Sequence, residues 1–180
     1  MKKMRILGCV AAMAAAAAAQ DAPQMPKPQK EHEWLQQLVG ELDTEGEILT
    51  EPGKPPMTTK GSESGRSIGG FWIVCEHKGD FFGTPFTGIL TLGYDPQNKK
   101  YLGTWVDSVT SYLWKYEGTV DATGKILTLD TEGPGHEPGK LLKFREVIEV
   151  KSKDHKVFTS ATEKDGKWLT HLTINCRRKK

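Results

Sequence analysis

The spacing of apolar side chains changes twice along this chain. Residues 6–19 form an apolar run of fourteen behind a basic start, Met-Lys-Lys-Met-Arg. A positive start, an apolar run and small residues at Ala17, Ala18 and Ala19 predict a secretory signal peptide over residues 1–20. The alternatives are an uncleaved anchor, for which the run is short and alanine-rich, and a lipoprotein at Leu7-Gly8-Cys9, which leaves little apolar chain before the cysteine. Residues 21–30 carry three prolines and no periodicity, the pattern of a linker. In 32–40, Trp34, Leu35, Leu38 and Val39 fall on one face of a short helix that Gly40 ends.

From residue 42 the period becomes two. Apolar and β-branched segments at 42–49, 58–67, 71–78, 85–94, 99–107, 111–120, 124–131, 140–150, 155–163 and 167–177 alternate with turn-forming clusters such as Asp95-Pro96-Gln97-Asn98 and Lys164-Asp165-Gly166-Lys167. The connections are of hairpin length, and parallel pairing would need long crossovers. About ten strands in an antiparallel meander would leave two exposed edges, which closure into an up-and-down barrel removes. The expected fold is therefore all-β: an up-and-down barrel in one domain, residues 31–178, with the short helix covering one mouth.

Alternation sorts the side chains into shared faces and leaves open which faces line the interior. Phe86, Leu90, Leu92 and Tyr94 share one side of their strand, and so do Tyr112, Trp114 and Tyr116. Leu142, Phe144, Ile148 and Val150 share a face that Glu146 interrupts. Trp168, Leu172, Ile174 and Cys176 fall together by parity, with His171, Asn175 and Arg177 opposite.

Several blocks in this frame resemble an exported bacterial family known as domain of unknown function 1579. They are Gly69-Gly70-Phe71-Trp72, Gly83-Thr84-Pro85-Phe86-Thr87-Gly88, Gly93-Tyr94-Asp95 and Gly103-Thr104-Trp105-Val106-Asp107-Ser108, in order and spacing. Gly118-Thr119-Val120-Asp121 and Thr173-Ile174 are similar too. The resemblance spans about residues 32–178. It implies a lipocalin-like, calycin-type barrel and no particular activity. Such barrels usually begin with Gly-x-Trp beside a late-strand arginine. Here the start reads Gly40-Glu41-Leu42, so no cation–π contact at the floor is expected, although Arg177 or Arg178 stands where the arginine would be.

Charge sharpens the picture. The whole chain carries 25 basic and 23 acidic residues, a net +2. Without Lys2, Lys3 and Arg5 the balance is −1, and the terminal Arg177, Arg178, Lys179 and Lys180 hold four of the remaining positive charges. A mildly acidic body argues against nucleic acid as a partner. After signal removal two cysteines remain, Cys75 and Cys176. Export would permit a disulfide between them; two separate buried thiols are the other reading.

The candidate pocket combines aromatic and ionisable residues: Phe86, Trp105, Tyr112, Trp114 and Tyr116 as walls, with Asp107, Glu146 and Arg66 as a polar end. Asp107 is either a ligand anchor beside Trp105 or the start of the turn at 107–111. Glu146 on an apolar face must be paired, solvated in a lumen or functional, and Arg66 is its candidate partner. His32, His136 and His155 read as solvated. His77, in phase with Ile73 and Cys75, or His171 would be the axial ligand if the barrel held haem; otherwise no cofactor is implied. The chain has no HxxxH, HExxH or CxxC, which argues against a zinc site.

These features lead to an exported barrel, periplasmic or secreted, that binds a small apolar or aromatic molecule and has no stable membrane span in its mature form. The alternatives are an enzyme using Asp107 and Glu146 as acid and base, and a structural or interaction protein with a filled interior.

Overall fold

A computed structural model describes residues 25–50, 53–135 and 139–180. The expected signal peptide, with Cys9, lies outside the described residues, as do part of the linker and His136.

Among the described residues the chain forms one helix, α1 (Lys30–Gln36), and ten strands. The strands are β1 (Gly40–Ile48), β2 (Met57–Ile68), β3 (Trp72–Phe81), β4 (Thr84–Asp95), β5 (Lys100–Asp107), β6 (Trp114–Val120), β7 (Ile126–Pro134), β8 (Leu141–Ser152), β9 (His155–Lys164) and β10 (Lys167–Arg178). Each pairs antiparallel with its sequence neighbours, and β1 pairs with β10 from Leu42↔Arg178 to Ile48↔Leu172. The barrel is closed, so no edge strand remains among these residues. No helix among them is long and apolar enough to cross a membrane.

The helix starts earlier and ends sooner than the apolar spacing of 32–40 suggests. His32 does not lie in solvent but is buried, and its Nδ1 accepts the backbone N–H of Gln29 at 3.0 Å, capping the first turn. Its ring meets Phe71 and Tyr94 edge-on. The helix lies over the end of the barrel that carries the β2–β3 and β6–β7 turns: Gln36 Nε2 donates to the Gly70 carbonyl and Trp34 Nε1 to the Gly124 carbonyl. Leu35, in the helix, and Leu38, just after it, are fully buried against Ile73, Leu92, Tyr101 and Leu127. These residues belong to the apolar core of the barrel.

Arg178 secures the same end. Its Nη1 donates to the Val39 carbonyl at 3.0 Å and its Nε to the Lys153 carbonyl at 3.3 Å. Gly40 has φ +131°, a conformation that favours glycine, and a Cβ there would also displace the Arg178 guanidinium. The arginine thus ties the start of β1 to the end of β10, without the tryptophan expected of related barrels.

Parity misleads at one point in β10. The register slips between Thr170 and Leu172, where a bulge leaves His171 without a partner in β9. Leu172, Ile174 and Cys176 face inward, but Trp168 turns to the outer surface, where Arg145 lies 4.2 Å over its ring. His171 joins the inner wall and not the wet face. The segment at 111–113 is also irregular, and β6 begins only at Trp114.

Candidate functional site

The half of the barrel away from the helix is hollow. A cavity of about 430 Å³ opens toward the β1–β2, β3–β4, β5–β6, β7–β8 and β9–β10 turns. Its apolar walls include Phe86, Leu90, Trp105, Trp114, Leu129, Phe144, Ile148 and Phe158. Two glycines shape it. A side chain at Gly88 would overlap the Trp105 ring, and one at Gly133 would overlap that of Trp114, so both indoles lie flat along the wall. Around the mouth several apolar side chains are exposed, Phe82, Leu141 and Leu169 the most of them.

Two polar clusters interrupt these walls. In the first, Lys156 Nζ donates to Glu63 Oε1 at 2.5 Å, and both residues are buried. Burial is the largest single effect and works against the lysine's charge, but Glu63 together with the neighbouring Cys176 and Cys75 outweighs it, and the pKa of Lys156 is raised. His77 Nδ1 lies 3.9 Å from Glu63 Oε2, and its ring meets Trp105 edge-on at 5.1 Å. Burial lowers the pKa of His77 more than Glu63 raises it, so the imidazole is neutral at pH 7.

In the second cluster, Ser160 Oγ donates to Glu146 Oε1 at 3.0 Å and also lies 3.2 Å from His171 Nε2. Burial pushes the Glu146 carboxyl up to about 8, against a smaller opposing effect of the serine hydroxyl, so the side chain is largely protonated at neutral pH. Burial, and then the neighbouring Glu146 and Asp107, push the Tyr116 phenol upward as well.

Three buried polar side-chain atoms have no hydrogen-bond partner among the described residues: His77 Nε2, Trp114 Nε1 and Glu146 Oε2. All three belong to residues lining this cavity. Buried polar groups are paired in the great majority of cases, so their concentration around one void marks it as unlike an ordinary core.

Of the residues singled out in sequence, Phe86, Trp105, Asp107, Trp114, Tyr116 and Glu146 surround the cavity. Arg66 does not. It is exposed on the outer face of β2, opposite Val74, and cannot serve Glu146. Tyr112 lies in a groove on the outside with Leu113, Lys115 and Trp168. Asp107 follows the turn reading: Oδ1 accepts the Val109 and Thr110 N–H groups at 2.9 and 2.7 Å, while Oδ2 accepts Trp105 Nε1–H at 2.8 Å. Its carboxylate shapes the β5–β6 loop and orients the indole.

The two cysteines are unlinked thiols, both buried. Cys75 is on β3 and Cys176 on β10, with β2 and β1 between them. Three strand spacings of about 4.8 Å separate their strands along the wall, beyond the roughly 7 Å Cα separation a disulfide spans. Burial raises both thiols to about 12, helped by Glu63 and opposed by Lys156.

Glu63 and Lys156 escape the sequence reading. Between Met57 and Ile68, β2 has no apolar side chain, so nothing in that stretch marks Glu63 as inward. Lys156 and Ser160 are in phase with Phe158, and that single aromatic is the signal that would have found them.

A family described as "Protein of unknown function (DUF1579)" matches residues 27–178. The chain belongs to this family. Its fold recurs in solved structures of low identity. Rv2717c from M. tuberculosis is similar with a TM-score of 0.59 at 14% identity, over 86% of this chain and 100% of that one. The S-type phycobiliprotein lyase CPES from Guillardia theta is similar with a TM-score of 0.53 at 13% identity, over 86% and 99%. At these identities the likeness is one of fold. No curated protein matches the chain.

Proposed function

We propose that this barrel is a small-molecule binding protein, exported from a bacterial cell, whose ligand is apolar or aromatic in bulk and occupies the interior cavity. The observation that carries this reading is a void of about 430 Å³ inside the closed barrel, whose lining residues include His77, Trp114 and Glu146, each with a buried polar side-chain atom that has no partner among the described residues. That volume lies within the range of small-molecule pockets, which typically pair apolar walls with a few polar groups. It would hold roughly 14 waters at about 30 Å³ each, so a filled structural core is disfavoured. The N-terminal pattern of residues 1–20 supports export.

The acid–base reading loses one of its two residues. Asp107 spends both oxygens on its own loop and on Trp105, leaving Glu146 without a second free carboxylate from the original pair.

Native mass spectrometry of the protein purified from the periplasm of its own host tests the proposal, together with titration of the stripped protein with 1-aminoanthracene, a neutral planar fluorophore. The expected results are a co-purified small molecule and a one-to-one rise in fluorescence that the released molecule reverses. A ligand-free mass together with no uptake of the fluorophore would overturn the reading.

A further inference from the structure

Exposed large apolar side chains are concentrated at one end of this barrel. Every turn at the open end carries at least one: Leu49 after β1, Phe82 between β3 and β4, Val109 between β5 and β6, Leu141 at the start of β8 and Leu169 near the start of β10. At the helix end, Ile68 and Trp72 flank the β2–β3 turn, while the β4–β5, β6–β7 and β8–β9 turns have none among the described residues. Single exposed apolar residues are ordinary, but a ring of them around the mouth of a cavity marks a contact surface.

Phe82 is the least expected member of the ring. Phe81 pairs with Thr84, so Phe82 and Gly83 make the whole β3–β4 turn, with φ of +54° and +81°. Turns of this kind favour Asn-Gly or Asp-Gly, and a bulky residue at positive φ is strained. The β9–β10 turn has the same two-residue form between Lys164 and Lys167, and it is built from Asp165 and Gly166 at φ +51° and +73°. The hairpin geometry therefore does not call for a phenylalanine, yet one stands there half-exposed. Its ring continues into the cavity wall. Phe82 meets Phe81 edge-on at 4.5 Å, Phe81 lies 6.2 Å from Phe86, and Phe86 stacks on Trp105 at 6.1 Å. Phe81, Phe86 and Trp105 all line the cavity, so an aromatic path runs from the exposed tip to the interior.

Charge and geometry point to the partner. The β3–β4 tip, residues 81–84, and the neighbouring β5–β6 connection, residues 108–113, contain no charged side chain. Behind them Lys78 is paired with Glu76, and on β2 Lys60 is paired with Glu45, each at 2.9 Å. A folded partner or a second copy seated on this ring would cork the cavity. A fluid lipid surface leaves the mouth open to hydrocarbon, where apolar molecules dissolve. Resting on the cavity as the binding site, we propose that the open end docks on a phospholipid surface, with Phe82 and the uncharged lip inserted among the acyl chains, and that the ligand passes directly between bilayer and cavity.

Vesicle flotation of the chain from Asp21 onward tests this. That chain holds the helix and all ten strands and lacks the apolar run at 6–19, which would partition by itself. Stripped of ligand, it should float with vesicles of phosphatidylcholine alone. Mixing in an equal part of phosphatidylglycerol should change the partition coefficient by less than about fivefold, because the lip offers no lysine to anionic headgroups. Phe82→Asn should weaken binding about tenfold, the contribution of one partly exposed apolar side chain. The same substitution should leave the melting temperature unchanged or higher, since asparagine suits the turn; a phenylalanine that only held the barrel together would show the reverse. Leu169→Thr, across the mouth, should also weaken flotation, and Ile68→Thr, at the helix end, should not. Absence of flotation, equal flotation of wild type and Phe82→Asn, or binding that requires phosphatidylglycerol would overturn the docking surface. So would a dimer in sedimentation velocity that Phe82→Asn dissociates, which assigns the ring to a second copy. Uptake of 1-aminoanthracene is read on the same protein without vesicles, so failure of the docking surface and failure of the cavity are seen separately.

Discussion

Glu146 is the residue whose environment departs furthest from that of an ordinary surface carboxylate. Its carboxyl keeps a proton up to about pH 8 in the folded protein, whereas an unfolded glutamate releases it near pH 4.3. Between those values the folded state binds more protons than the unfolded one, so raising the pH favours unfolding. Glu146 therefore contributes a loss of stability as pH rises from about 5 to 8, at most about 1.4 kcal/mol per pH unit. Glu146→Gln should remove that slope. Urea denaturation of both proteins across this window measures the difference, and parallel curves would contradict the assignment. His77 and His171, lowered chiefly by burial, tilt both proteins the other way below about pH 6.5 and cancel in the comparison.

Lys156 and Glu63 make a different prediction. Their ion pair is almost wholly dry, so removing one partner strands a buried charge. Lys156→Met should cost about 3–5 kcal/mol, while Lys156→Met with Glu63→Gln should recover much of that loss. Denaturation midpoints of the single and double variants check this; a double variant no better than the single would argue that the pair is hydrated. Glu146 was legible in the sequence because it breaks an apolar alternation. Glu63 was not, because its strand has no alternation to break.

Among the elements, α1 shows how much a seven-residue helix contributes when its packing is tertiary. Isolated helices this short are unstable, so α1 depends on the barrel end beneath it, and its residue Leu35 is fully buried there. Leu35→Ala should cost about 2–5 kcal/mol and lower the melting temperature, read by thermal denaturation. A change of a few tenths of a kcal/mol would mean that the helix is not docked in solution. The ten strands were legible from alternation and turn chemistry, and so was the presence of a helix. The bulge at His171 was not. A one-residue insertion exchanges the two faces of a strand, so it carried Trp168 outward and His171 inward with no mark in the local composition.

At the level of the barrel, closure explains both the cavity and the inert thiols. Ring geometry keeps β3 and β10 apart although β1 and β2 join them, so Cys75 and Cys176 share an interior without meeting. With both thiols buried and raised to about 12, the native protein should resist iodoacetamide at neutral pH, and both cysteines should be carbamidomethylated after unfolding in urea. Peptide mass spectrometry reads this directly. Rapid native labelling at either site, or no labelling of the unfolded protein, would contradict the buried, unlinked state.

The order of residues was enough to specify an antiparallel barrel capped by a helix, because period-two alternation, short turns and the absence of crossovers are local properties that leave few topologies open. It also grouped Trp105, Trp114, Tyr116 and Glu146 as candidates for one pocket, without deciding which strand faces line the interior. Only the closed structure could decide which polar groups meet across the lumen. The pairing of Glu63 with Lys156, the exposure of Arg66 and the placement of His77 opposite Glu146 depend on strands far apart in sequence, on one bulge, and on the circumference that ten strands enclose. These are relations between walls, and no single strand encodes them.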